Sequence, residues 1–195
     1  MNIVIIGSGN LATQLSLALN DAGHHIVQVF SRTADHAKCL ADKLDCPHTS
    51  DISTVSPDAD IYIISVKDDA IAEVAQTVSQ GNPNALILHT AGSVPMSVLG
   101  SYASRYGVLY PMQTFSKTRR VDFREIPCFI EASDDKSLCE LRLLAESISD
   151  HVVDCDSGKR KKMHLAAVLA CNLTNHCYRL AERVLESEQI DFRLF

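Results

Sequence analysis

The feature that most constrains this chain is a glycine-rich turn directly after its first apolar run. Residues 3–6 (IVII) are apolar and β-branched without interruption, which is typical of a parallel strand buried on both faces. The run breaks into GSGNLA at residues 7–12, and leucines and alanines then recur at helical spacing. A strand, a turn of this composition and a helix in succession predict the dinucleotide-binding start of a doubly wound α/β fold.

Each small residue of the turn has a distinct expected task. Gly7 permits the tight turn, Gly9 lets the backbone approach a pyrophosphate, and Ala12 allows close packing of the helix on the strand. Free N–H groups and the positive dipole end of the helix would face the phosphates. The alternative is a plain strand-turn-helix unit that binds nothing. The predicted cofactor contacts of this segment are Gly7, Ser8, Gly9, Asn10, Leu11 and Ala12.

The end of the second predicted strand indicates which dinucleotide is bound. NAD sites usually place an acidic residue about 20 residues after the glycines, to hold the ribose 2′-OH. Here the strand His25–Phe30 runs into Ser31, Arg32 and Thr33. A guanidinium between two hydroxyls can bind a 2′-phosphate, so the sequence predicts NADP. The alternative is that Arg32 is only solvated and Thr33 only caps a helix over 34–44.

Apolar strand-like runs alternate with helical patterns along the chain, which predicts an α/β fold with a mainly parallel Rossmann sheet. A boundary is expected near residue 156. Residues 1–156 would form the NADP-binding domain, and residues 157–195 would begin an all-helical domain for substrate binding and dimerisation. Residues 161–188 contain neither Gly nor Pro and predict one long helix. Because the chain ends soon afterwards, we expect this second domain to be truncated.

Composition excludes several classes of protein. With 195 residues and 46% hydrophobic content the chain can bury a sizeable core, and its net charge of −6 argues against nucleic-acid binding. No apolar stretch reaches membrane-spanning length, and the N-terminus lacks the features of a signal peptide. Seven cysteines without metal-ligand spacing predict no metal site, and they are expected to be reduced, mostly buried thiols. The protein is therefore expected to be cytoplasmic.

Polar residues come after several strands, at the sheet edge where open α/β folds bind ligands. Val66 and Lys67 follow the fourth strand, and His89 and Thr90 end the fifth. We expect Val66, Lys67 and Thr90 to contact the cofactor, and His89 to line the nicotinamide end with residues 110–114. The alternative for each residue is a helix cap, a turn or a strand end, since loops are polar in any case.

Five segments in order resemble one known family: GSGNLA, SRT, SVKDDAI, HTAGS and YPMQTF. The chain resembles the Rossmann-like NADP oxidoreductases with a C-terminal domain of unknown function, which are relatives of pyrroline-5-carboxylate reductase and of deazaflavin-dependent NADP oxidoreductases. The similarity continues into His164–Val168 and Asn172. It implies an NADP-binding domain, a helical domain that forms a homodimer, and a small-molecule substrate between them. Tyr110 departs from the family pattern, because relatives often have histidine at this position.

The helical segment supplies further candidates for catalysis. His164, Val168 and Asn172 follow one another at intervals of four, so His164 and Asn172 are expected on one helix face. A histidine suits proton transfer, and an asparagine amide can orient a substrate carbonyl. The sequence thus predicts an NADP-dependent oxidoreductase that reduces C=O or C=N, with His164, Asn172 and His89 as catalytic candidates. The alternatives are a structural role for His164 and a non-catalytic NADP-binding sensor or structural module.

Four cations, residues 159–162 (KRKK), stand where the long helix is expected to begin. Positive charge there opposes the helix dipole. One interpretation is that an anionic substrate or cofactor phosphate lies nearby, and the other is a solvated linker.

Overall fold

A computed structural model describes residues 1–194 and contains one eight-stranded sheet of order β3-β2-β1-β4-β5-β6-β7-β8. The strands are β1 (Asn2–Ile6), β2 (His25–Phe30), β3 (His48–Thr49), β4 (Ile61–Ile64), β5 (Leu86–His89), β6 (Tyr106–Pro111), β7 (Cys128–Ala132) and β8 (Val152–Asp154). The helices are α1 (Asn10–Asp21), α2 (Ala34–Leu44), α3 (Ile71–Gly81), α4 (Asp135–Glu146), α5 (Ser157–Ala167) and α6 (Thr174–Glu186), with a π-helical segment Val168–Leu173 joining the last two.

The sheet is parallel except where β7 runs antiparallel to β6. Strand order reverses beside β1, because β1 pairs with β2 on one side and with β4 on the other. Ligands of open α/β sheets bind at such a reversal, beyond the carboxyl ends of the strands. The predicted doubly wound, mainly parallel α/β fold is confirmed, and its topology places the candidate site at the ends of β1, β2 and β4.

The central strands bury both of their faces, which explains their continuous apolar sequence. Ile3 and Ile5 face the layer formed by α1, α2 and α4, whereas Val4 and Ile6 face the layer formed by α3. This alternation is the two-residue period of a strand. The sheet therefore forms a rigid middle layer, and the loops at its carboxyl edge carry the site.

Element boundaries agree closely with the sequence at β1, β2 and α2. The edge strand β3 was not predicted, because two residues are too few to produce a period. The long helix begins at Ser157, earlier than expected, since the Asp156 side chain caps it by accepting a hydrogen bond from Lys159 N at 2.9 Å. The π-helical segment also interrupts what was predicted as one regular helix.

Neither interpretation of the cationic run describes Arg160, whose side chain is only 1% exposed. Its Nη1 lies 2.5 Å from Glu131 Oε2 in β7, and its Nη2 donates to Val94 O at 2.7 Å. Lys159 pairs with Asp156, and Lys161 and Lys162 are exposed. Arg160 is thus a buried ion-pair partner that fastens α5 to the sheet.

The expectation that most cysteines are buried was wrong. All seven are free thiols in the structure, but Cys39, Cys139, Cys171 and Cys177 are exposed, and only Cys128 and Cys155 are buried. Burial raises the pKa of Cys128 to about 11, so this thiol stays protonated.

The helical segment after Ser157 leaves many apolar side chains uncovered. Leu165 is 57% exposed and Val184 is 68% exposed, and no residue of α6 is buried. Homodimerisation through this segment, like the domain boundary at residue 156, stays a prediction from the sequence. Among residues 1–194, no helix is both long and apolar enough to cross a membrane.

Candidate nucleotide-binding site

A cleft of about 700 Å³ opens where the chain leaves the carboxyl ends of β1, β2, β4 and β5. It brings together residues that are far apart in the sequence. Of the predicted cofactor contacts, those lining it are Gly7, Ser8, Gly9, Asn10, Leu11, Ser31, Arg32, Thr33, Val66, Lys67 and Thr90. Ala12 does not line the cleft, because it is 1% exposed and packs between α1 and the sheet. Its predicted role in close helix packing fits this position, but its predicted cofactor contact does not.

Gly7 and Gly9 have different structural reasons to be glycine. Gly7 has φ +123°, and a Cβ there would lie 2.1 Å from Ser65 O in the chain leaving β4. Gly9 has φ −72°, and a Cβ there would meet nothing within 4 Å. The turn at Gly7 is therefore required by the fold, as predicted, whereas Gly9 leaves open space beside the N-terminus of α1. That space is what a bound pyrophosphate would need.

We expect Gly7→Ala to lower the free energy of unfolding by about 1–3 kcal/mol, because it combines a disfavoured φ with overlap against backbone. Urea denaturation measures this loss. Gly9→Ala is the matched control, and it should cost less stability than Gly7→Ala, because its φ is negative and a Cβ there meets no atom, while still weakening nucleotide binding. Equal stability of the two variants would contradict the assignment of Gly7 to the fold.

The chain after β2 forms one wall of the cleft. Ser8 Oγ donates to Ser31 Oγ at 2.8 Å, which ties this wall to the glycine turn. Arg32 is exposed, and it makes no hydrogen bond or ion pair within residues 1–194. Thr33 occupies the N-cap position of α2, but its side chain makes no capping hydrogen bond. The arginine and both flanking hydroxyls are therefore available to a ligand in the cleft.

Several residues that line the cleft were not found by sequence reasoning. One group is apolar and comes from the end of β2, from two 3₁₀ turns and from α3: Phe30, Ile52, Ala70 and Val74. Lys117 comes from the loop after β6, far along the chain. Nothing in the local sequence separates these residues from ordinary loop and helix residues, because only the sheet order brings them to the cleft.

His89 is fully buried and does not line the cleft. Its Nδ1 accepts a hydrogen bond from Ala91 N at 3.2 Å. Burial, with a smaller contribution from the charge of Arg160, lowers the pKa of His89 to about 4. The imidazole is therefore neutral near pH 7, and this environment favours a structural role over the predicted catalytic one.

His164 lies against β6 and the loop after β5. Its Nδ1 is 2.9 Å from the Tyr110 hydroxyl, and the two rings meet edge to face with centroids 5.8 Å apart. A Cβ at Gly92 would lie 2.6 Å from His164 Nδ1 and 2.9 Å from Tyr110 Cζ. The absence of a side chain at Gly92 therefore leaves room for the Tyr110–His164 pair. Gly92 directly follows Thr90 and Ala91, which line the cleft. Burial raises the pKa of Tyr110, so its hydroxyl remains protonated.

The π-helical segment bears on the expected alignment of His164 and Asn172. In an α-helix, four residues rotate through slightly more than one full turn. In a π-helix, where hydrogen bonds run from i to i+5, four residues rotate through slightly less than one full turn. The extra rotation from residue 164 to 168 in α5 is therefore offset by the smaller rotation from 168 to 172 in the π-helical segment, as the expected alignment of His164 and Asn172 requires. Asn172 is exposed and lies beyond the part of α5 that packs on the sheet.

Two family profiles match this chain. The profile described as NADP oxidoreductase, coenzyme F420-dependent, matches residues 2–92, and the domain of unknown function DUF2520 matches residues 126–195. No curated protein has a sequence that matches the chain. No group of three or more His, Cys, Asp or Glu within residues 1–194 is arranged to hold a metal ion.

Solved structures extend the comparison. A protein from Bacteroides fragilis described as a candidate NADP oxidoreductase is 49% identical with a TM-score of 0.95, covering 99% of this chain and 75% of its own. An imine reductase from Streptomyces aurantiacus is 14% identical with a TM-score of 0.75, covering 99% and 69% respectively. The 1-pyrroline-5-carboxylate reductase of Streptococcus pyogenes is 14% identical with a TM-score of 0.73, covering 99% and 73%. The last two similarities show the fold.

Fold and cleft together define a Rossmann-type oxidoreductase that uses a nicotinamide dinucleotide. More particularly, the chain belongs to the NADP oxidoreductase family, and it carries a match to DUF2520 after its N-terminal domain.

Proposed function

We propose that this protein is an NADP-dependent oxidoreductase that transfers a hydride between NADP(H) and the carbonyl or imine carbon of a small metabolite. The observation that carries the proposal is the cleft itself. It unites the glycine turn with an unpaired Arg32 flanked by two hydroxyls, and no carboxylate occupies the end of β2. The names of the imine reductase and the pyrroline-5-carboxylate reductase support a C=N substrate.

The residues present fit the cofactor. Open space at Gly9 and the N–H groups that begin α1 would accept the pyrophosphate. Ser31, Arg32 and Thr33 would hold the 2′-phosphate, and a carboxylate in their place would repel it. The apolar lining by Phe30, Ile52, Ala70 and Val74 suits an adenine ring.

The reaction also needs one proton, and we assign its supply to the Tyr110–His164 pair, whose hydroxyl and Nδ1 lie 2.9 Å apart. When bound, the cofactor provides the hydride, so the protein has to orient the substrate and move a proton. The Tyr110 hydroxyl would donate its proton to the substrate oxygen or nitrogen and recover one from His164 Nδ1. This assignment keeps His164 as a proposed catalytic residue and makes Tyr110 a second one. Asn172 would orient the substrate. We extend the proposal to a cytoplasmic homodimer that pairs through the helical segment.

Calorimetric titration with NADPH and NADH tests the cofactor assignment. The parent protein should prefer NADPH, and Arg32→Asp should weaken NADPH binding at least about tenfold, because a carboxylate replaces the cation at the 2′-phosphate. NADH affinity should change little, since NADH has no phosphate there.

Arg119→Asp is the matched control, since Arg119 is exposed and lies outside the cleft. It makes the same change of charge and should leave both affinities unaltered. Unchanged preference in Arg32→Asp would refute Arg32 as the 2′-phosphate contact, and a parent protein without preference for NADPH would refute NADP specificity. A parent protein that binds neither nucleotide would refute the oxidoreductase itself.

A further inference from the structure

The loop after β6 is fastened to the N-terminal half of α1. Gln14, which is 3% exposed, donates from Nε2 to Ser116 O at 2.7 Å. The ring of Phe115 is buried and stacks on Phe123 with centroids 5.5 Å apart. Two adjacent residues of the loop are thus held, one by its backbone and one by its side chain.

Lys117 comes directly after these two residues and lines the cleft together with Gly9 and Asn10. It is exposed, and it makes no hydrogen bond or ion pair within the described residues 1–194. A lysine side chain without an acidic partner is available to an anion. The two residues before it are held in place, so less conformational freedom is lost when the anion binds.

Sheet order decides which phosphate Lys117 approaches. Arg32 follows β2 and Lys117 follows β6, and these strands lie on opposite sides of β1 in the order β3-β2-β1-β4-β5-β6. Lys117 is therefore expected to approach the N-terminus of α1 from the side opposite to the 2′-phosphate contacts. The group expected at that N-terminus is the pyrophosphate, which NADP and NAD share.

We propose that Lys117 binds the pyrophosphate of the dinucleotide and that Gln14 is the residue that positions it. The inference rests on the proposed function, because it needs a dinucleotide in the cleft. A cation there adds a charge-assisted contact to the backbone N–H groups of α1. In a chain of net charge −6, it also lowers the repulsion that an anionic ligand meets at the cleft.

Calorimetry of Lys117→Met with NADPH and with NADH tests the assignment. We expect both affinities to fall by about tenfold, with a smaller difference at high salt because the lost contact is an exposed charge. Arg119→Met is the matched control, and it should bind both nucleotides as the parent does. Unchanged affinities in Lys117→Met overturn the proposal. A loss confined to NADPH also overturns it, since the lysine would then contact the 2′-phosphate.

A double-mutant cycle tests the role of Gln14. Gln14→Met removes the hydrogen bond to Ser116 O and should weaken NADPH binding in the parent protein, but add nothing to Lys117→Met. An equal loss in both backgrounds overturns positioning, because Gln14 would then support binding independently of Lys117. Thermal unfolding of each variant confirms that the folded protein is titrated. If the parent itself binds neither nucleotide, the proposed function fails, which is a result distinct from every outcome above.

Discussion

Replacing Tyr110 by phenylalanine is expected to lower kcat for reduction of a small cyclic imine by about 10²–10⁴-fold, the usual contribution of a positioned proton donor. The substitution removes the hydroxyl that lies 2.9 Å from His164 Nδ1 but keeps the ring and its edge-to-face contact. Because burial raises the pKa of Tyr110, the hydroxyl carries its proton at neutral pH. NADPH affinity should be retained, since Tyr110 does not line the cleft that would hold the cofactor.

Consumption of NADPH at saturating imine measures kcat, and calorimetry measures NADPH affinity. Tyr106→Phe is the matched control, because it makes the same change on the same strand away from His164. It should leave kcat near that of the parent. A Tyr110→Phe variant with undiminished kcat would exclude the hydroxyl as the proton donor. A variant that lost NADPH affinity instead would indicate that Tyr110 supports the cofactor site.

Glu131→Ala is expected to lower the free energy of unfolding by about 3–5 kcal/mol, the usual cost of leaving one charge of a buried ion pair without its partner. Arg160 is 1% exposed, and Glu131 Oε2 accepts from both Arg160 Nη1 and Ser157 Oγ, at 2.5 and 2.7 Å. The remaining contacts of the guanidinium, with Val94 O and Ser157 Oγ, carry no net charge. The substitution therefore leaves the buried Arg160 cation without a negatively charged partner.

Urea denaturation of two comparison proteins separates burial from charge. Asp42→Ala breaks the pair Lys38–Asp42, whose side chains are both 60% exposed, and should cost less than about 1 kcal/mol. The double variant Glu131→Leu with Arg160→Met should recover most of the loss, because it leaves no uncompensated charge. A Glu131→Ala protein no less stable than Asp42→Ala would show that the Arg160 site is not effectively buried.

We propose that function depends on this ion pair through the position of α5. The same helix carries Arg160 and, one turn later, His164. Arg160 holds the helix against β7 and the loop after β5, and the same helix carries His164, whose Nδ1 lies 2.9 Å from the Tyr110 hydroxyl. Arg160 is thus a positioning residue for the proposed proton donor.

Local patterns in the sequence determined the elements and the class of the fold. The run Ile3–Ile6 identified a strand buried on both faces, and the residues from Gly7 to Ala12 identified a tight turn that leads into a helix. Such signals depend on neighbours in the chain, through strand period, glycine conformation and helix spacing, so they can be recognised without tertiary structure. The same holds for Ser31, Arg32 and Thr33, which a short strand places at the edge of the cleft.

Only the tertiary structure decided the burial and the contact partners of the remaining residues. Arg160 was expected to be solvated or near a ligand, yet it is buried against Glu131, and Lys117 gave no local signal of a place in the cleft. Tyr110 and His164 are separated by 54 positions and form one hydrogen-bonded pair. Burial and pairing between such distant residues depend on strand order and helix docking, which are collective properties of the packed chain. For that reason the nucleotide-binding turn was apparent in the sequence, whereas the partner of His164 was not.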